Sequence, residues 1–386
     1  MAIRTVYMDN NATTPVDPRV AKVVTDSLDL YGNPSSMHTL GRDAHREIER
    51  ARALTADMIQ AQPREIVFTG CGSESNNTVI NLLFLPKVTD GGRNKFISTV
   101  IEHPSIYELD EMLTQRGIEV VRIGVDELGK IRMGELKKAL DEKTALVSVM
   151  AANNEIGTIQ DIAGISTMVH DAGALMHTDA VQAAGKIEID VRKWGVDYLS
   201  LSGHKIYAPK GIGALYIREG APFGPFLLGG HQEDARRAGT YNTTGIMAMG
   251  AASEMVCREG RAETQRIARL RDRLEQGIKD RVDRIRVNGH PTDRVAGTTN
   301  ISFYGAEGES ILLYLDMEGI QVSTGSACAT GSLEPSYVLM ETGVGAELAH
   351  GSIRFSLGRY TTEEDVEYVI EKLPPIIERL RRMSTL

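Results

Sequence analysis

Residues 65–85 read EIVFTGCGSESNNTVINLLFL, and the hydrophobic period changes across the glycine turn in the middle. The first five residues carry a short β-rich apolar run, whereas the stretch from Glu74 onward has the spacing of an amphipathic helix. Strand, small-residue turn and helix in that order make the unit of a parallel α/β sheet. The unit recurs as KFISTV before PSIYELDEMLTQRG and as ALVSVM before IAGISTMVHDAG, with ALMHTDA a little later. A mostly parallel sheet flanked by helices is therefore expected. Polar and small residues follow each strand, in GCGSES, IEHPS, AANNEIG, TDAVQ and SGHK. In an open α/β sheet this carboxyl edge is where ligands bind.

The chain has 386 residues, of which 42% are hydrophobic, enough for two sizeable cores. A net charge of -9 without a basic block argues against nucleic acid or an anionic membrane as the main partner. The start, MAIRTVYMDN, has no apolar leader, and the most apolar segment, VINLLFLP, falls far short of the roughly 20 residues that span a bilayer. A cytoplasmic protein is expected. The cysteines Cys71, Cys257 and Cys328 are isolated from one another, so neither a disulfide framework nor a zinc site is indicated. Cys257 lies among residues at helical spacing and reads as a small core residue. Cys71, between Gly70 and Gly72, reads as small-residue packing. Cys328 is different, because STGSACATGS surrounds it with glycine, alanine, serine and threonine only, the composition of a solvated loop with an accessible thiol.

From Arg261 a highly charged helix, RAETQRIARLRDRLEQGIKDR, leads toward a second domain. TTNISFYG, GSIRFSLGRY and a closing helix, TTEEDVEYVIEKL, follow without regular strand and helix alternation, which suits a smaller α+β domain.

Chemistry concentrates at the strand exits. Lys205, in SGHKIYAPKGIG, sits at a tight exit where partial desolvation would favour a nucleophilic amine. Upstream, Asp179 ends the strand of MHTDAVQ. A Schiff-base lysine, a carboxylate for a pyridinium nitrogen and a phosphate cradle are the parts of a pyridoxal phosphate site. The cradle is expected at TGCGSES, where Gly72 and Ser73 open a helix with free backbone N–H groups. That turn fails as a dinucleotide fingerprint, because its third glycine would fall at Ser75. His103, before a first-turn proline, stands where a ring could stack on a planar cofactor.

Together these segments resemble the cysteine desulfurases, pyridoxal-phosphate enzymes of the class V aminotransferase group. The resemblance runs from YMDNNATTPVDPRV through NPSSMHTLG, EHPS, NNEIGT, HTDAVQ, SGHKIYAPKGIG, RRAGT and GSACATGSLEPSYVL to HGSIRFSLGRYTTEED. It implies the type I, aspartate aminotransferase-like fold, with a large domain over residues 15–258 and a small domain from 1–14 and 259–386. It also implies that Lys205 carries pyridoxal 5'-phosphate, that Asp179 faces the pyridine nitrogen, and that His103 stacks on the ring. Asn154 and Gln182 fall on the ring-oxygen side, with Asn154 also near substrate, and Ser73, Ser202 and His204 fall on the phosphate. Thr240 matches a residue that reaches the partner subunit's phosphate, implying a homodimer, and Arg354 matches the clamp for the substrate carboxylate, a task that suits its planar fork.

The reaction implied is conversion of L-cysteine to L-alanine, with Cys328 taking the sulfur as a persulfide for an iron-sulfur scaffold protein of the NifU or IscU kind. Lys205 would shuttle protons, with His103 assisting. The ending RLRRMSTL resembles the nitrogen-fixation branch more than the longer-tailed housekeeping branch. Two departures stand out: Ser73 where relatives often carry threonine, and Asp234 and Ala235 where many carry arginine and glycine. A selenocysteine lyase and a class V aminotransferase are the alternatives within the group. A cofactor-free sulfur carrier or scaffold partner, with Lys205 and Asp179 as ordinary structural polar groups, is the alternative outside it.

Overall fold

The computed structural model describes residues 4–324 and 334–383. Val6–Tyr7 forms a first short strand, β1, and seven later strands make the central sheet. These are β2 (Ile66–Thr69), β3 (Lys95–Thr99), β4 (Glu119–Ile123), β5 (Thr144–Ser148), β6 (Leu175–Asp179), β7 (Tyr198–Ser202) and β8 (Gly213–Ile217). Their order across the sheet is β4-β3-β5-β6-β7-β8-β2. Every pairing from β4 to β7 is parallel, while β8 runs antiparallel to both neighbours. β2, β3, β5, β7 and β8 are buried along their whole length, as strands covered by helices on both faces must be. β4 was absent from the strands read in the sequence. It lies at one edge of the sheet and, unlike β2 at the other, is half-exposed along EVVRI, so it lacks the continuous apolar run of its neighbours.

A helix of 37 residues, Thr243–Lys279, joins the two halves of the molecule. AMGAASEMVCREG and the charged stretch after Arg261 are thus one continuous helix. Its first half buries Ile246, Met249, Ala252 and Met255 in the core under the large sheet. Its second half buries Ile267, Leu270, Leu274 and Ile278 in a separate core. Cys257 departs from the sequence reading, because it is exposed. The helix turns the buried stripe through Met255, which leaves position 257 on the outer side.

The second core covers an antiparallel sheet of Ile285–Asn288 (β9), Thr298–Phe303 (β10) and Ser352–Ser356 (β12), with β10 in the middle. Ile320–Gln321 (β11) pairs in parallel with β1, which brings the start of the chain onto this half. The closing helix extends past its expected end at Leu373 to Met383, through Pro374 and Pro375. Ile376, Ile377 and Leu380 prolong its buried stripe beyond the prolines, and that burial offsets the missing backbone donors. Among the described residues no helix is long and apolar enough to cross a membrane.

Candidate active site

A cavity of about 330 Å³ opens at the carboxyl edge of the large sheet. Gly72 and Ser73 enter it from the turn after β2, His103 from beyond β3, and Asn154 from beyond β5. Asp179 and Gln182 come from the end of β6, Ser202, His204 and Lys205 from the end of β7, and Arg354 from β12. Parallel strands deliver all their exits to one edge, which is why residues far apart in sequence meet here. Cys328 lies outside the described residues. Thr240 is exposed and does not line this cavity.

The strand exits fix the geometry. Gly72 begins the helix Gly72–Ile80, and a Cβ on it would lie 2.8 Å from Val181 Cγ2, so a larger residue there would have to displace Val181. Asp179 accepts from Asn76 Nδ2 at 2.7 Å on one carboxylate oxygen and from the Val181 N–H at 2.9 Å on the other. His103 caps the short helix Pro104–Tyr107, its Nδ1 accepting the Ser105 N–H at 3.1 Å, so the neutral ring holds its proton on Nε2. Burial, with a smaller push from Lys205, lowers its pKa against the pull of Asp179. His204 is driven down to about 4 by burial and then by Lys205, Lys210 and Lys186. Both rings are therefore uncharged at neutral pH. Lys205 Nζ donates to the carbonyls of Asn11 at 2.5 Å and Ala12 at 2.8 Å.

Arg354 is 2% exposed and is aimed from both sides. Nη2 bonds Asp9 Oδ1 at 2.7 Å, Nη1 bonds the Asn154 carbonyl at 3.1 Å, and Nε has no hydrogen-bond partner among the described residues. The backbone of Arg354 also exchanges hydrogen bonds with Ser323, at 2.7 and 3.3 Å. On the far side of residues 325–333, Ser336 Oγ donates to Glu155 Oε2 at 2.5 Å, and the Tyr337 hydroxyl donates to the Glu102 carbonyl. Glu155 follows Asn154 and Glu102 precedes His103, so the segments flanking residues 325–333 are fastened to the walls of the cavity. Burial raises Glu155 to about 7 and Glu102 to about 8.

The segment carrying Asp234 and Ala235 is ordered by Glu233, which is buried and bonds Arg52 at 2.6 and 3.0 Å. Glu233, Asp234 and Ala235 have φ of 49°, 54° and 61°, three successive left-handed residues without a glycine. Arg237 Nε bonds Glu74 Oε1 at 2.9 Å, and the other oxygen of Glu74 accepts the Gly70 N–H at 2.7 Å. The segment is thereby tied to the turn that holds Gly72 and Ser73.

Cys71, read from the sequence as packing, is exposed and lines the cavity. It occupies the cap position of Gly72–Ile80, where the chain leaves the core. Asn11, Asn76, Ser105 and Val181 also line the cavity and carried no assigned role. Asn76 was open to detection, since four residues beyond Gly72 it falls on the same helix face.

The aminotransferase class-V family profile matches residues 6–369. The chain is 47% identical to a protein of Trichormus variabilis named cysteine desulfurase 2, over 98% of this chain and 94% of that one. It is 43% identical to cysteine desulfurase NifS of Azotobacter vinelandii, again over 98% and 94%. A solved structure titled NifS-like protein superposes with a TM-score of 0.91 at 36% identity, covering 97% of this chain and all of that one.

Proposed function

The chain belongs to the class V aminotransferase family, and on that premise we infer that it is a cysteine desulfurase, converting L-cysteine to L-alanine and passing the sulfur to an acceptor. The observation that carries the reading is the meeting, in one cavity, of the Lys205 amine, the Asp179 carboxylate, the neutral His103 ring and the Arg354 guanidinium.

The cavity residues fit pyridoxal 5'-phosphate. Its volume suits a ligand of that size. Asp179 is held by two neutral N–H donors. Among the described residues no cation pairs with its carboxylate, which suits a protonated pyridine nitrogen. The Gly72 turn offers helix-opening N–H groups beside the Ser73 and Ser202 hydroxyls, a donor set for phosphate. When bound, the cofactor supplies an electron sink for charge that develops at the substrate α-carbon.

In this reading Lys205 holds the cofactor and, once released, moves the proton at the α-carbon. His103 would stack on the cofactor ring, its uncharged state adding no repulsion, and is available to assist proton transfer. Gln182 and Asn154 face the ring oxygen, and His204 joins the phosphate side. Arg354 orients the substrate carboxylate. Cys328 is the proposed sulfur acceptor, and the fastening of Ser323 and Ser336 to the cavity walls supports a short path for it. We propose a large domain at 15–258 and a small one at 1–14 and 259–386, a division that the two apolar cores on the long helix support. We further propose a cytoplasmic homodimer in which Thr240 completes the partner's phosphate site, and delivery of sulfur to an iron-sulfur scaffold protein. A nitrogen-fixation role is proposed on the same footing.

The experiment is to add L-cysteine and an excess of a dithiol, which reduces the transferred sulfur to sulfide, to the cofactor-loaded protein and to quantify alanine and sulfide together. Equal amounts are expected; alanine without transferable sulfur would refute the desulfurase reading.

A further inference from the structure

Lys186 carries an amine that the reaction as described does not use. It lies four residues beyond Gln182, in the turns that follow β6, and its side chain folds back under the cavity floor. Nζ donates to Gln182 Oε1 at 2.5 Å and to Asn11 Oδ1 at 3.0 Å. No carboxylate of the described residues pairs with it, and the charged groups facing it are Lys205 and Arg354, both cationic. Burial first, then those two cations, drives its pKa well below that of an ordinary lysine. The amide oxygens of Gln182 and Asn11 take two of its N–H donors.

These two amides reach the reacting groups. Gln182 Nε2 donates to the Asn11 carbonyl at 2.8 Å, the same carbonyl that accepts from Lys205. Asn11 Nδ2 donates to the Asn154 carbonyl at 3.0 Å and to Thr298 Oγ1 at 2.8 Å. Since a carbonyl can only accept, the nitrogen of Gln182 faces Asn11 and its oxygen faces Lys186. One hydrogen of that nitrogen is used by Asn11, which leaves the second for the cavity.

We propose that Lys186 is a positioning residue, tying the Gln182 and Asn11 amide oxygens together beneath Lys205 so that an N–H of Gln182 is turned toward the cofactor's ring oxygen. The proposal rests on the placement of Gln182 beside that oxygen. Without the amine, two buried amide oxygens lose their donor, and the Gln182 side chain is free to turn its oxygen toward the ring. A donor at the ring oxygen stabilises its ionised form and eases loss of the proton shared with the Lys205 nitrogen. Losing that donor should make the lysine-bound cofactor hold its proton to higher pH.

The test is a pH titration of the visible absorbance of the cofactor-loaded protein, in the wild type, Gln182→Ala, Lys186→Met and the double variant. Gln182→Ala and Lys186→Met are each expected to raise the transition by about one pH unit, the effect of one charge-assisted hydrogen bond. The double variant should match Gln182→Ala alone, because Lys186 acts through Gln182. An undiminished further shift in the double variant would mean that Lys186 acts on the cofactor directly, and no shift in Lys186→Met would mean that it does not act at all; either overturns the proposal. No shift in Gln182→Ala alone would remove Gln182 from the ring oxygen, and the proposal with it, while leaving cysteine turnover as the separate test of the desulfurase reading. If Lys186→Met does not yield folded protein, Lys186→Gln keeps an N–H donor and should titrate like the wild type; a shift equal to that of Gln182→Ala would overturn the proposal.

Discussion

Asn76 Nδ2 lies 2.7 Å from Asp179 Oδ2, so the first turns of the helix after β2 hold the carboxylate that ends β6. The Val181 N–H takes the other oxygen at 2.9 Å, and the carboxylate is fixed at both ends. Asn76→Leu removes one of these restraints while keeping the side-chain volume. Steady-state kinetics should show kcat lowered by about tenfold, the size of one lost hydrogen bond to a charged group. Unchanged kcat would mean that Val181 alone suffices to place Asp179.

Lys205→Ala should abolish the adduct that borohydride fixes between protein and cofactor. Lys186 is a second lysine amine near the cavity, with its hydrogen bonds directed to the amide oxygens of Gln182 and Asn11. Peptide mapping after reduction decides between them. A labelled peptide containing Lys186 in the variant would show that the second amine can substitute.

Arg354→Lys should raise the KM for cysteine by at least about tenfold with a smaller change in kcat, because an ammonium cannot present two parallel donors to a carboxylate. Asp9 and the Asn154 carbonyl aim the guanidinium and cannot aim a lysine in the same way. An unchanged KM would place the carboxylate clamp elsewhere.

His177 is buried beneath the site, bonded to Ser148 Oγ at 2.7 Å and Ser200 Oγ at 3.0 Å. Burial pushes its pKa from 6.5 down to about 4, against the pull of Asp179. Between these values the unfolded chain binds the proton and the folded protein does not, so stability falls as the pH drops through this window. The loss at its acid end is roughly 3 kcal/mol. His177→Gln should flatten the fall in unfolding midpoint across that window, as read by urea denaturation at several pH values. The same slope in the variant would assign the acid loss to other groups, such as His204.

The large sheet was legible because strands buried on both faces leave continuous apolar runs, as IVFT and ALVS do, and because each was followed by small polar residues. β4 was not, since EVVRI is half-exposed and mixes charged with apolar residues as surface segments do. Asp179 and Lys205 stood out as charged residues at strand exits among small polar neighbours, and Arg354 through the resemblance of GSIRFSLG. Asn11, Asn76 and Lys186 did not, because their partners lie more than a hundred residues away or depend on how one turn folds back; Asn76 meets Asp179 only once β2 and β6 share a sheet. Cys257 misled because helical spacing names the buried stripe but not which neighbour sits just outside it.

The measurement closest to the central claim is a single pulse of L-cysteine on the cofactor-loaded protein, wild type beside Cys328→Ala, followed by mass spectrometry of the cysteine peptides and quantification of alanine. In the wild type, one added sulfur should appear on the peptide containing Cys328, with alanine in equal amount, while Cys71 and Cys257 stay unmodified. Cys328→Ala should still change its visible spectrum on meeting cysteine, since Lys205 and Arg354 are intact, yet transfer no sulfur. Alanine and sulfide formed at the wild-type rate by Cys328→Ala, or sulfur found on Cys71 instead, would contradict the account.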